Sequence, residues 1–309
     1  MIVGRRGGQY AESAFGRQRA HAEPPVSRLS SRGARVKDFT IAVGQWPVVP
    51  RKEENLEHAG TFLREAARRG AALCVLPEMF QTPYELDAME RAAEPADGPT
   101  LTRIRDAARE LRLHVVAGSF PERDGSAVYN ASFLIGPDGA LLGRHRKIHL
   151  FDVSLDDVKV KESAVLTPGD APLVADLPFC RLGVAICYDV RFPEVFRFFE
   201  ARRVDVIALP AAFSRTTGAA HWHLLLRSRA VDCQAYLAAA CPAPLHDAKY
   251  ITFGHSLVVD PWGTILGEAG ERAETVIARL DAALLEKVRR ELPVLAHRRP
   301  DLYERWQDQ

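Results

Sequence analysis

From Phe39 onward, short apolar runs alternate with stretches whose apolar residues recur every three to four positions. That alternation restricts the chain to folds in which helices cover a largely buried sheet. Phe39-Thr40-Ile41-Ala42-Val43-Gly44-Gln45 reads as a first strand. Residues 53–69 follow as an amphipathic helix, with Leu56, Ala59, Leu63 and Ala66 or Ala67 on one face and Gly70 as its stop. Residues 71–76 are apolar throughout, as a strand covered on both faces is. Asp97-Gly98-Pro99-Thr100 introduces a helix to about residue 111, and a strand is predicted at 114–120. Residues 129–136 and 140–147 flank Pro137-Asp138-Gly139 as a hairpin, and 152–170 read as a polar loop. Strands ending at Cys187 and spanning 204–209, 236–241, 255–260 and 274–280 are expected, with helices near 194–202, 220–233 and 282–291.

Hairpins together with helix-separated strands predict mixed sheets in one α/β domain over residues 37–309, with no linker or repeat dividing it. Residues 1–36 are rich in Arg, Ser, Gly and Ala, poor in acids, and lack a periodic apolar face. They read as a disordered N-terminal extension, with an early start codon or an Arg-rich presequence as competing readings. The net charge of +1 gives no electrostatic footprint for nucleic acid. No apolar stretch approaches the roughly 20 residues a bilayer span requires, so no membrane partner is expected. Five cysteines, an odd count with no CxxC pair, read as reduced thiols in a cytoplasmic setting rather than as a disulfide framework or zinc site.

Most of those cysteines read as small buried hydrophobes. Cys187 differs, because it ends the run Leu182-Gly183-Val184-Ala185-Ile186 and is followed by a turn and Pro193, which suits a helix's first turn. A thiol there is held by a sheet yet exposed at its edge, and a nearby lysine would favour the thiolate. Glu78 follows Leu76-Pro77 at the end of another apolar run, where an apolar wall would raise its pKa toward that of a general base. Lys147 closes the charged run Arg144-His145-Arg146, but Ile148, Leu150 and Phe151 after it suggest alternation into the interior. His221 and His223 lie two apart on a helix and cannot share a face, so no metal site is expected and His221 reads as structural.

Leu76-Pro77-Glu78, the segment from His145 to Asp152, and Ile186-Cys187-Tyr188-Asp189-Val190-Arg191-Phe192-Pro193-Glu194 resemble, in order and spacing, the three signature segments of the nitrilase (carbon–nitrogen hydrolase) superfamily. Pro83-Tyr84, Phe213-Ser214-Arg215-Thr216-Thr217-Gly218, His221-Trp222 and the segment from Gly254 to Gly263 are similar to its omega-amidase branch. The tail His297-Arg298-Arg299-Pro300-Asp301-Leu302-Tyr303 resembles the deaminated-glutathione amidases. The resemblance implies an α-β-β-α sandwich, two mixed sheets with helices outside, that pairs into a homodimer or higher homo-oligomer. It implies Glu78 as general base, Cys187 as nucleophile and Lys147 as oxyanion stabiliser aided by the Tyr188 backbone N–H, with no cofactor. Glu162 matches a second glutamate beside the triad, and Arg191 matches a substrate-carboxylate site. Tyr84 and Thr217 are candidate pocket walls, and His223 stands where the branch usually has glutamate. The implied activity is thiol-dependent hydrolysis of a small carboxylate-bearing amide, most closely 2-oxoglutaramate or 2-oxosuccinamate. Deaminated glutathione and N-carbamoyl amino acids are alternatives, a nitrile is disfavoured by Tyr188-Asp189, and a non-catalytic scaffold is the remote reading.

Overall fold

The computed structural model describes residues 36–307 except Asp157, so the predicted N-terminal extension lies, apart from Val36, outside the described residues. The chain begins with β1 (Phe39–Gln45), α1 (Lys52–Arg68), β2 (Leu73–Val75), α2 (Leu86–Ala92), α3 (Pro99–Leu111) and β3 (His114–Val116). Next come β4 (Phe120–Asp124), β5 (Ala127–Ile135), β6 (Leu141–Arg146), β7 (Asp152–Ser154), β8 (Lys159–Lys161), β9 (Leu173–Asp176) and β10 (Arg181–Val184). Then follow α4 (Pro193–Ala201), β11 (Val206–Pro210), α5 (Arg215–Cys233), β12 (Tyr236–Ala240) and β13 (Leu257–Val259). The last elements are β14 (Ile265–Glu268), β15 (Glu274–Leu280), α6 (Ala282–Glu291) and α7 (Pro300–Gln307). Single 3-10 turns occupy Glu162–Ala164 and Cys187–Arg191.

One sheet has the order β15-β1-β2-β3-β5-β4 with β6 joined to β5, and the other runs β14-β13-β12-β11-β10-β9. Both are mixed: β1, β2 and β3 are parallel, as are β10, β11 and β12, and the flanking pairs are antiparallel. The period-2 side-chain alternation of strands explains how one strand serves two cores. Ile41, Val43, Leu73 and Val75 of the first sheet meet Val206, Ala208, Ala238 and Val258 of the second in a central core. From the opposite pleat faces, Ala42 and Cys74 meet α1 and α3, and Ile207, Leu209 and Leu237 meet α4 and α5. The result is the expected α-β-β-α sandwich. Burial of each such aliphatic side chain contributes roughly 1.5–3 kcal/mol.

The departures from sequence expectation have local causes. The 152–170 loop contains β7, β8 and a 3-10 turn, whose three-residue lengths leave no periodic signal. α2, β14 and α7 were likewise not expected. The helix predicted from residue 220 starts at Arg215, because the Ser214 hydroxyl accepts the Thr217 N–H at 3.2 Å and caps it. The strand predicted at 114–120 breaks at Gly118, which has φ +47°. A Cβ there would lie 2.1 Å from the Pro77 carbonyl oxygen, so only glycine lets this strand end press against the segment carrying Glu78.

Candidate active site

Glu78, Lys147 and Cys187 each lie just past the end of a strand, where an open α/β sheet presents ligand-binding groups. Glu78 follows β2 of the first sheet, and its backbone N–H reaches Ala211 O, just beyond β11 of the second, at 3.4 Å. Lys147 follows β6 and is anchored by its N–H to Asn130 O at 2.8 Å. Cys187 lies three residues beyond β10 and opens its 3-10 turn with φ +47°, a left-handed conformation that costs a non-glycine residue on the order of 1–3 kcal/mol. That bend turns the side chain out of the strand direction. The thiol is nonetheless buried, with Cys187 only 5% exposed, where an exposed sheet edge was expected.

The ammonium of Lys147 is fully buried between two carboxylates, 2.9 Å from Glu78 Oε1 and 2.9 Å from Glu162 Oε2. Burial alone would depress its pKa, but Glu162 and Glu78 outweigh burial and keep it a cation. Glu162 is placed by β8, accepts the Phe151 N–H at 2.6 Å on Oε2, and accepts the Tyr84 hydroxyl at 2.6 Å on Oε1. Asn130 Nδ2 donates to Glu78 Oε1 at 2.7 Å. The other oxygen, Glu78 Oε2, is buried with no hydrogen-bond partner among the described residues. Burial and the Glu162 charge raise the Glu78 pKa, and Lys147 opposes them.

Cys187 interacts with the Glu78 carboxylate and with the Ala212 backbone. Burial first, then the Glu78 charge, push its thiol well above the ordinary range, and Lys147 only partly offsets them. Lys147 does favour the thiolate, as the sequence suggested, but burial and Glu78 outweigh it. The resting sulfur is a thiol, and a base must take its proton.

The cavity at Cys187 has about 190 Å³ of empty space, part of it open to solvent, and Tyr188, Arg191 and Thr217 line it with Phe213 and Tyr250. Tyr84 lines the adjoining space beside Glu78, stacked on Tyr250 with ring centroids 4.6 Å apart. Arg191 reaches His221 Nδ1 at 3.3 Å and faces the Phe213 ring, but among the described residues no carboxylate pairs with it. His221, read from the sequence as structural, is exposed and contacts that guanidinium.

Sequence reasoning missed the bracket that ties these turns together. Buried Asp189 accepts from Ile186 N on Oδ2, lies 3.1 Å from His145 Nε2 and 2.8 Å from His149 Nδ1, and accepts the His149 N–H at 2.9 Å. It thus joins the Cys187 turn to both sides of Lys147. A signal existed, since His145 and His149 flank Lys147 at two positions on either side. Burial works to raise the Asp189 pKa, yet the histidine bonds win and hold it below the usual carboxylate range. Its stabilisation is therefore fully present above an unfolded pKa of about 3.9 and fades as pH falls toward the lower folded value. Asp189→Asn is expected to cost about 3 kcal/mol, read as a lower urea midpoint at neutral pH with an unchanged slope. An unaltered midpoint would mean that the bracket does not hold the turns.

The carbon–nitrogen hydrolase family model matches residues 40–290. The chain is 42% identical over 267 residues to the omega-amidase of Bos taurus, covering 86% of this chain and 97% of that protein. It is 41% identical over 266 residues to the Homo sapiens omega-amidase, covering 86% and 96% respectively. Nit3 of Saccharomyces cerevisiae, a member of branch 10 of the nitrilase superfamily, superimposes with a TM-score of 0.77 at 36% identity, over 83% of this chain and 95% of that one. A Glu-to-Leu variant of the amidase from Nesterenkonia sp. AN1, with the acetamide moiety of fluoroacetamide added covalently at its active-site cysteine, superimposes with a TM-score of 0.69 at 25% identity, over 89% and 98%. Sequence and backbone agree across nearly the whole described chain, which belongs to the carbon–nitrogen hydrolase family of the nitrilase superfamily.

Proposed function

We propose that this chain is an omega-amidase, hydrolysing the terminal amide of a small 2-oxo acid such as 2-oxoglutaramate or 2-oxosuccinamate to the acid and ammonia. The relatives' activity supports the substrate class. The observation that carries the chemistry is the buried Glu78 carboxylate interacting with a thiol whose pKa burial holds well above the ordinary range. Glu78 Oε2 takes the Cys187 proton as the sulfur attacks the amide carbon. The oxyanion forms against Lys147 Nζ and the Tyr188 N–H. Glu78 passes the proton to the departing nitrogen, ammonia leaves, and a thioester remains. Water then gives a proton to Glu78 while its oxygen attacks the thioester; the sulfur leaves and recovers the proton. Glu162 and Tyr84 keep the ammonium aimed, and Thr217 forms a wall.

Arg191 supplies the site for the substrate carboxylate, because its charge faces the cavity without an acidic partner. Arg191→Ala is expected to raise KM about 10- to 100-fold for 2-oxoglutaramate, the size of a lost charged hydrogen-bond pair, and far less for a neutral amide of similar length. Equal rises for both would remove that role. The function itself is tested by ammonia release from 2-oxoglutaramate, 2-oxosuccinamate, deaminated glutathione and an N-carbamoyl amino acid. The 2-oxo acid amides should give the highest kcat/KM. A tenfold preference for either other class would overturn the omega-amidase reading while leaving the thiol chemistry intact.

The chain is further proposed to act as a homodimer or higher homo-oligomer in the cytoplasm. Exposed Leu224 on α5 and Trp262 in the β13–β14 turn, elements linked by Arg227 Nε to Gly263 O at 2.7 Å, support pairing. Five free, buried thiols support a reducing compartment.

A further inference from the structure

Away from the Cys187 cavity, two histidines and a glutamate from three separate segments converge. His223 lies in the third turn of α5, His255 precedes β13, and Glu268 ends β14. Glu268 Oε1 is 2.7 Å from His223 Nε2 and 2.9 Å from His255 Nδ1. One donor atom from each residue lies within 4.8 Å of the other two. Zinc bonds to nitrogen and oxygen of about 2.0–2.1 Å place tetrahedral donors roughly 3.4 Å apart, so a spread of a few tenths of an ångström makes room for an ion.

We propose that His223, His255 and Glu268 form a binding site for a divalent transition-metal ion of the zinc class, with water completing its shell. The i, i+2 pair His221 and His223 is not the site, because His221 turns to Arg191. His223 finds its partners more than 30 residues further along the chain (His255 and Glu268), which helix spacing cannot reveal. Two imidazoles and one carboxylate favour zinc, nickel or copper over magnesium or calcium, which take oxygen donors. Binding requires each histidine to present a lone pair at the atom now facing Glu268, with its proton on the other ring nitrogen.

The donors are held before any ion arrives. The backbone of His255 is fixed by its N–H to Gly270 O at 3.2 Å and by Trp222 Nε1 donating to its carbonyl at 2.7 Å, while its ring stacks on Phe253 at 4.4 Å. Trp222 is the neighbour of His223, so the same contact sets the separation of the two imidazoles. All three donors are partly exposed, giving an ion access and making substitution tolerable to the fold.

The test is calorimetric titration of the full chain with zinc and with magnesium, in a Cys187→Ala background that removes the active-site thiol as a competing ligand. One zinc should bind per chain and magnesium should not. His223→Gln and Glu268→Gln should each weaken zinc by at least about tenfold, since even loss of a group that only supports a ligand costs that much. Cobalt added to the same protein should give a tetrahedral visible spectrum that His255→Gln abolishes. No zinc binding, or an affinity unchanged in His223→Gln and Glu268→Gln, would overturn the proposal.

Discussion

Lys147→Met is expected to lower kcat/KM at least about a thousandfold and to destabilise the fold by about 3–5 kcal/mol. Methionine fills similar space but leaves Glu78 and Glu162, both fully buried, without the cation 2.9 Å from each. With Lys147 gone, the largest influence holding the Glu78 pKa down is lost, while burial and the Glu162 charge still raise it. Glu78 is thereby pushed toward its protonated form and becomes a poorer acceptor of the Cys187 proton. The sign of the pH effect follows. A carboxyl whose folded pKa is raised, as that of Glu78 is, destabilises the fold when ionised, so the mutant's deficit should shrink as pH falls and Glu78 becomes neutral. Urea denaturation of both proteins at pH 5 and pH 8 measures this. A deficit growing toward acid, or a mutant retaining a tenth of wild-type activity, would show that the lysine does not neutralise these acids.

Cys187→Ala is expected to remove activity by about 10⁴-fold or more while leaving stability within about 1 kcal/mol. The large kinetic effect arises because the proposed nucleophile that interacts with the Glu78 carboxylate is removed, and the small structural one because alanine keeps a Cβ at the same strained φ. Rapid quenching and intact-mass measurement supply the decisive readout. Wild type should carry an acyl adduct during turnover, and the variant none. An adduct on Cys187→Ala, or undiminished ammonia release, would place the covalent step elsewhere.

Glu78 and Cys187 were legible because each stands at the end of an apolar run, and Lys147 because the apolar residues after it suggest alternation into the interior. The structure brings all three together, with Glu162, Tyr84 and Arg191 around them. Their protonation was not legible, because it depends on burial and on which oxygen is left unpaired, and neither leaves a local pattern. The Asp189 bracket escaped for a related reason: Asp189 looks like any turn acid until β6 and β10 are placed near each other. The longer strands β1, β5 and β15 and the amphipathic helices α1, α3 and α6 were readable from periodicity. The three-residue strands β7 and β8, which deliver Glu162, were not. Nor could the neighbours β1 and β15, more than two hundred residues apart, be paired without long-range contacts.

The hydrogen bond from Glu78 N to Ala211 O spans the seam between the two sheets. Glu78 and Cys187 therefore belong to different halves of the sandwich, and on the proposed mechanism neither half contains a working centre. Catalysis thereby becomes a gauge of how the halves are seated. Agents that let the layers slip, such as low denaturant or pressure, should silence the enzyme while each sheet still gives its full circular dichroism signal.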